Sequence, residues 1–277
     1  MYFTVNTFLS LALASIATAI DYSHIDRDGV ILIDLKHDVT SDPTSALASW
    51  SEKAYLCTYE HTTCTYDEAN ERPLLIGLDL SHLHLSGPSD RPLEILFLEF
   101  LGDLTSFTAN ENSFTGQLSR NPLSSNLSTI DISFNQLNGS IPDPALWKIN
   151  SLQRLDLGSN DLSGNLPDTF FAQKDLQVLF VPNNKLGGAI PEFADTALRA
   201  VSLASCSFTG AIPKSIGKAK NLEEVYFYGN AGLKGKVPEE LCRLPKLIVA
   251  DLTNTGVNKS NLGPACRKAQ KAGVLKL

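Results

Sequence analysis

Residues 104–142 hold one pattern twice. The first copy reads Leu104-x-x-Phe107-x-Ala109-x-x-Asn112-x-Phe114-x-Gly116-x-Leu118-Ser119, and the second reads Leu127-x-x-Ile130-x-Ile132-x-x-Asn135-x-Leu137-x-Gly139-x-Ile141-Pro142. The same spacing restarts at Leu75, Leu152, Leu176, Leu198, Leu222 and Leu247, so eight starts lie 22–29 residues apart. Chance supplies one such copy, not eight in tandem. No single copy can bury its apolar face alone, so the chain has to stack its copies into a solenoid.

Each position has a physical reason. In x-x-Leu-x-Leu-x-x the two apolar residues, such as Leu155 and Leu157, point inward and their neighbours point outward, as in a short strand. The following Asn (Asn135, Asn160, Asn184, Asn230) is expected inside the turn, where its amide satisfies backbone groups left without partners and stacks into a ladder. Cys206 takes this position in the sixth copy, which makes it structural rather than reactive. The first copy has Leu83 there. The Gly allows a turn free of Cβ constraint, and the Pro falls where no backbone donor is needed.

The 277 residues carry a formal net charge of −7, and no basic stripe of the kind a nucleic-acid surface needs stands out. Residues 1–19 read as a secretory signal: Phe8 to Ile16 is a short apolar core and Ala17-Thr18-Ala19 a small-residue cleavage site. No other apolar run approaches the roughly 20 residues that span a bilayer. The expected mature chain is therefore secreted, extracellular or in the cell wall. Five cysteines fit that compartment. Cys57 and Cys64 precede the first copy, Cys242 and Cys266 bracket the last, and the bridges Cys57–Cys64 and Cys242–Cys266 would staple the two open ends, with Cys206 free. Asn126, Asn138 and Asn258 begin glycosylation sequons.

The expected domains are a cap over 20–74, repeats over 75–257 and a C-terminal cap and tail over 258–277. Residues 20–27 read as unstructured. Asp28 is placed to cap a helix running through Val39, Asp42-Pro43 breaks it, and a short second helix passes through Ala46, Leu47 and Trp50. An insertion around Arg91–Leu101 reads as a further helix, and the basic tail from Arg267 as frayed.

Leu32-Ile33-Asp34-Leu35-Lys36, Asp42-Pro43, Ala46-Leu47-Ala48-Ser49-Trp50, and then Cys57 and Cys64 resemble the N-terminal cap of plant-type extracellular leucine-rich-repeat proteins. Receptor ectodomains and polygalacturonase-inhibiting proteins belong to that group. The Leu-x-Gly-x-Ile-Pro segments resemble its repeats, and together the likeness spans about residues 28–266. It departs between the cap cysteines, where Tyr59-Glu60-His61-Thr62 replaces the usual Trp-x-Gly. The resemblance implies an α/β solenoid of about eight plant-type repeats, with a parallel β-sheet on the concave face and a disulfide cap at each end. It also implies a role in defence, in signalling, or in inhibiting a secreted wall-degrading enzyme.

Little in the sequence points to catalysis. His82 and His84 lack a carboxylate or Cys at metal-ligand spacing, no Gly-x-Ser-x-Gly is present, and the glycines of 229–236 belong to the repeat. Asp131, Asp156 and Asp251 share one repeat position, and nothing suggests the raised pKa that a general acid needs. No enzyme activity, metal or cofactor is expected. The outward strand positions say more: polar and small in the N-terminal half, they become Val178, Phe180, Pro182, Tyr226 and Tyr228 later, with Phe134 at the strand edge. Exposed aromatic clusters mark interfaces, and Arg154, Asp156, Glu223 and Glu224 would add polar contacts. The leading expectation is a secreted, non-enzymatic module that binds a protein or peptide through Phe134, Arg154, Asp156, Val178, Phe180, Glu224, Tyr226 and Tyr228. The alternative is a structural or adhesive wall component binding polysaccharide. Ice binding is a remote third, since it wants a regular Thr or Asn array and these rows vary. Nucleic acid and a membrane span are not expected, and the pattern sets no oligomeric state.

Overall fold

A computed structural model describes residues 27–51, 54–87, 101–118, 120 and 123–277. The signal segment and most of the 91–101 insertion lie outside the described residues. All eight expected strands pair in one ten-stranded sheet, in chain order. Its parallel members include Arg72–Asp79, Ser106–Thr108, Thr129–Asp131, Arg154–Asp156, Val178–Phe180, Ala200–Ser202, Glu224–Tyr226 and Val249–Asp251. Register is kept throughout, so Leu155, Leu179, Val201, Val225 and Ala250 follow one another across the sheet. Their side chains form one continuous core from Ile31 to Leu275. The Leu-x-Gly segments build a second parallel sheet of five strands, from Thr115–Gln117 to Ser207–Thr209. Short helical turns return the chain to the main sheet, and their Phe170 and Phe171 are fully buried.

The Asn ladder forms as the pattern requires. Asn160 donates to Ile132, Leu157 and Gly158 carbonyls at 3.0–3.2 Å and accepts the Leu137 N–H at 2.9 Å. Asn184 and Asn230 repeat this one and three copies on. Cys206 stands in the same place: its Sγ donates to the Val181 carbonyl at 3.4 Å, and burial pushes its thiol up to about 11. One feature of the ladder is absent from the sequence pattern. In all eight copies the residue before the ladder position is left-handed, with φ between 52° and 74°: His82, Glu111, Phe134, Ser159, Asn183, Ser205, Gly229 and Asn254. This backbone turn aims the next side chain inward.

Both caps are bridged as expected, Cys57 to Cys64 and Cys242 to Cys266, and Cys206 is free. Four local expectations change. The first helix among the described residues is Arg27–Asp38, so Arg27 is helical and Asp28 stands within the first turn and not before it. Residues 43–49 are turns, not a helix: Ser45 is left-handed at φ 57°, and the carboxylate of Asp42 takes the Ala46 and Leu47 N–H groups. The cap then closes with an antiparallel hairpin, Thr62–Asp67 on Arg72–Asp79. Tyr59 stacks on Trp50 with centroids 6.0 Å apart. Finally, the tail is ordered. Pro264–Lys271 is a helix with Cys266 buried, and Leu275–Lys276 adds a last parallel strand beside Val249–Asp251, with Leu275 inside. The tail is held because its carbonyls at Val274 and Lys276 accept the Ala250 and Leu252 N–H groups.

Candidate functional site

Side chains on the outward face of the main sheet line up in rows, because the parallel register is unbroken. One row runs Asp79, Thr108, Asp131, Asp156, Phe180, Ser202, Tyr226, Asp251. The row beside it runs Arg154, Val178, Ala200, Glu224, Val249.

The row changes character at Phe180. In its first half the carboxylates serve the backbone. Asp79, Asp131 and Asp156 each accept the N–H two residues ahead at 3.0–3.1 Å, and Asp251 does the same further along. Asp131 and Asp251 also take the Ser133 and Thr253 hydroxyls at 2.7 Å. The aligned carboxylates are therefore turn-forming groups. One expectation about them is overturned: burial pushes the Asp156 carboxyl above its ordinary range, against the Gly158 N–H, with the Asp131 charge adding and the Arg154 guanidinium opposing. Asp156 is only 9% exposed, so the cause is desolvation.

Arg154 is fixed from two sides. It pairs with Asp156 at 3.0 Å and lies over the Phe180 ring, 5.4 Å from the centroid. This is cation–π distance, and it ties the guanidinium to the ring at the margin of the aromatic region. Beyond Phe180 the outward residues shrink. Ala200, Ser202 and Ala204 face outward yet are buried, at 9%, 6% and 0% exposure. Val178, Phe180 and Pro182 flank them on one side, and Glu224, Tyr226 and Tyr228 on the other. Strands spaced about 4.8 Å apart put Phe180 and Tyr226 about 10 Å apart, with Ser202 between them. By register the small residues lie low between two half-buried rows, as the floor of a shallow cleft that those rows leave little exposed, with Ala204 sealed beneath them. Tyr226 donates its hydroxyl to Glu224 at 3.1 Å, which sets a carboxylate at the rim. Burial, the hydrogen bond to Glu224 and the charges of Glu224 and Asp251 all push the Tyr226 hydroxyl pKa upward. Glu223 is held by Arg199 at 3.1 Å.

Not all candidate residues meet here. Phe134 is 57% exposed and left-handed, two strands before Phe180 on the ladder turn rather than on the strand. Asn126, Asn138 and Asn258 are exposed and lie off the main-sheet strands that carry the cleft. His82 does gain a carboxylate the spacing did not show, Glu111 of the next repeat at 2.8 Å. Among the described residues no three His, Cys, Asp or Glu gather as metal ligands. Sequence reasoning misses the floor: Ala200, Ser202 and Ala204 read as unremarkable small residues, and only their register between two aromatic rows gives them meaning.

The leucine-rich-repeat family model matches residues 126–145 and 151–172. The chain is a leucine-rich-repeat protein, and its structural neighbours are plant leucine-rich-repeat receptor ectodomains. It is similar to the Arabidopsis receptor kinase HAESA, solved with the peptide hormone IDA and the co-receptor SERK1, at 30% identity and a TM-score of 0.73, covering 84% of this chain and 38% of that one. The chain thus spans little over a third of the HAESA ectodomain. It is similar to Pollen Receptor Kinase 3 at 26% identity and a TM-score of 0.61, covering 73% of this chain and 94% of that one. A plant ice-binding protein shares the fold alone, at 20% identity and a TM-score of 0.52 over 87% and 90% of the two chains. Comparison with the curated proteins gives no match.

Proposed function

We propose that this chain is an extracellular, non-enzymatic recognition module that binds an extended peptide, or an extended segment of a protein, across the outward face of its main sheet. The observation that carries the reading is the cleft between Phe180 and Tyr226. Outward strand positions lie off the core, so the fold does not require Ala200 or Ser202 to be small, whereas a ligand side chain needs both the low floor they leave and the rings beside it. Arg154, held by Asp156 and Phe180, presents its remaining N–H donors next to the cleft. Glu224 sets the opposite charge at the far rim. A ligand with one inserted side chain and polar groups on either side fits this order. The peptide-bound HAESA ectodomain, similar over most of this chain, supports the class of ligand. The secretory signal at residues 1–19 and the two disulfides support the compartment.

Binding is tested by a pull-down from extracellular extract. The baits are the wild-type chain, a Phe180→Ala/Tyr226→Ala variant and a Ser202→Tyr variant. The double variant removes the walls and the single one fills the floor. If these are anchors, each costs more than about 2 kcal/mol of binding, and a ligand retained by the wild type is lost from both. A ligand recovered equally by all three folded baits refutes the cleft as its site.

A further inference from the structure

The net charge of −7 conceals a segregation. From residue 210 onward the chain carries 12 Lys and Arg against 5 Asp and Glu, a net of +7, so the preceding 209 residues carry −14. Most of the five acidic residues at the basic end are occupied elsewhere. Glu223 pairs with Arg199, while Glu224 and Asp251 stand on the main-sheet face. Glu239 spends its carboxylate on the N–H groups of Ala265 and Cys266, at 2.9 and 3.3 Å, which ties two helices of the C-terminal cap together. That leaves Glu240.

Four of these twelve cations lie on the segments that return the chain to the main sheet. Lys214, Lys218 and Lys220 come from the turn Lys214–Lys218 and the residues after it, and Arg243 comes from the end of the next helix, Glu239–Cys242. With Glu240 they line a cavity of about 420 Å³. The two segments sit close, since a Cβ at Gly217 would meet the Glu240 Cβ at 2.8 Å. All four cations are exposed, and of the four only Arg243 forms an ion pair among the described residues, at 3.5 Å to Glu239.

We infer that this cavity is a second binding site, separate from the main-sheet cleft, and that it takes an anionic polysaccharide. Three lysines outside any ion pair among the described residues, with Arg243 shared with Glu239, outnumber the one lining carboxylate and select for negative charge, and their origin in two successive repeats suits a linear polymer that bears a charge on each unit. A membrane surface is less well served, because apolar side chains must enter beside the cations. Among the described residues, none of the exposed large apolar side chains, Tyr55, Tyr66, Phe134, Leu146 and Ile248, lines the cavity. A single-stranded nucleic acid would want stacking rings, and no aromatic residue lines the cavity. The inference takes only the extracellular setting from the preceding subsection.

The test measures binding of the full chain to alginate (uronate charges), dextran sulfate (sulfate charges) and uncharged dextran over a range of salt. Two variants each lack three exposed cations. One is Lys214→Gln/Lys218→Gln/Arg243→Gln at the cavity, and the other is Lys234→Gln/Lys236→Gln/Lys276→Gln away from it. Each cation that neutralises a polymer charge contributes about one to the salt slope, so removing it lowers the slope by that amount. The cavity variant should bind the charged polymer at least about tenfold more weakly, with a reduced slope. The other variant should weaken by less than about threefold, and uncharged dextran should not bind. The two charged polymers show whether carboxylate or sulfate is preferred. Equal weakening in both variants would mean diffuse charge and overturn the site. Failure to bind either polymer, or capture by anionic vesicles alone, would overturn the ligand class. The Phe180→Ala/Tyr226→Ala variant should bind the polymer as the wild type does, which separates this inference from the peptide site.

Discussion

Replacing Asn184 by Ala tests the ladder as the source of solenoid stability. The Asn184 amide donates to the Leu157 carbonyl at 2.9 Å and to the Val181 and Pro182 carbonyls at 3.2 Å, and its oxygen accepts the Leu162 N–H at 2.9 Å. Leu157 and Leu162 are fully buried, so their freed backbone groups cannot reach water. An unsatisfied buried group costs about 1–3 kcal/mol. Two of them give a loss of about 4 kcal/mol before any cavity term. Cys206→Ala removes far less, namely one thiol hydrogen bond of 3.4 Å and a weak acceptor, and should cost about 1–2 kcal/mol. The reverse exchange, Cys206→Asn, installs the full set at an equivalent position and should stabilise by about 1 kcal/mol. Guanidinium titration followed through the buried Trp50 and Trp147 reads all three. A repeat array can unfold in stages, so the midpoint of the Trp147 transition in mid-array is the comparison to make. If Asn184→Ala falls within about 0.5 kcal/mol of Cys206→Ala, the ladder argument is wrong.

Asp156 predicts a pH dependence. Its folded pKa is raised, so its contribution to stability is fullest below the ordinary carboxylate value of 3.8 and is lost as pH rises through the raised value. Asp156→Asn should therefore gain on the wild type as pH is taken from about 3.5 to 7, and a gain in the opposite direction in denaturation titrations would refute the assignment. The Cys206 thiol, held at about 11, should resist iodoacetamide at pH 8 in the native protein and react once unfolded, as mass spectrometry would show. The bridges differ in span, 24 residues for Cys242–Cys266 and 7 for Cys57–Cys64. Chain entropy then makes the first worth about 3.4 kcal/mol and the second about 2.4, and paired Cys→Ser variants compared by melting should show the C-terminal loss as the larger.

Much of the fold is legible because the repeat states one requirement eight times. The inner rows through Leu155, Leu179 and Val225, both disulfides and the role of Cys206 all follow from it. The misreadings fall where the repeat stops. Residues 46–50 have helical spacing, but Ser45 turns left-handed and Asp42 caps a turn instead. The Thr62–Asp67 strand is mostly polar and forms because it covers the edge of the first repeat, a requirement that no local pattern expresses. The tail reads as frayed because two residues, Leu275–Lys276, are too few to show a strand period; their hydrogen bonds come from residues 250 and 252. At the candidate site the aromatic walls are legible residue by residue. The floor is not, since it depends on the register of three strands.

The left-handed turn before each ladder residue sharpens the case for function at two places. Gly, Asn and His tolerate that conformation best among the residues found there, and Gly229, Asn183, Asn254 and His82 follow the preference. Phe134 does not: a bulky ring held at φ 53° and 57% exposed gains neither burial nor backbone ease. The cleft floor departs from expectation in the opposite sense. Outward strand positions favour β-branched and aromatic side chains, yet Ala200 and Ser202 are small and lie between rows that are not. The solenoid core constrains only inward positions, so neither departure is required by folding. A ligand that places one group over Ser202 and runs toward the N-terminal repeats would account for both, because Phe134 lies on that side of Phe180, beyond Arg154.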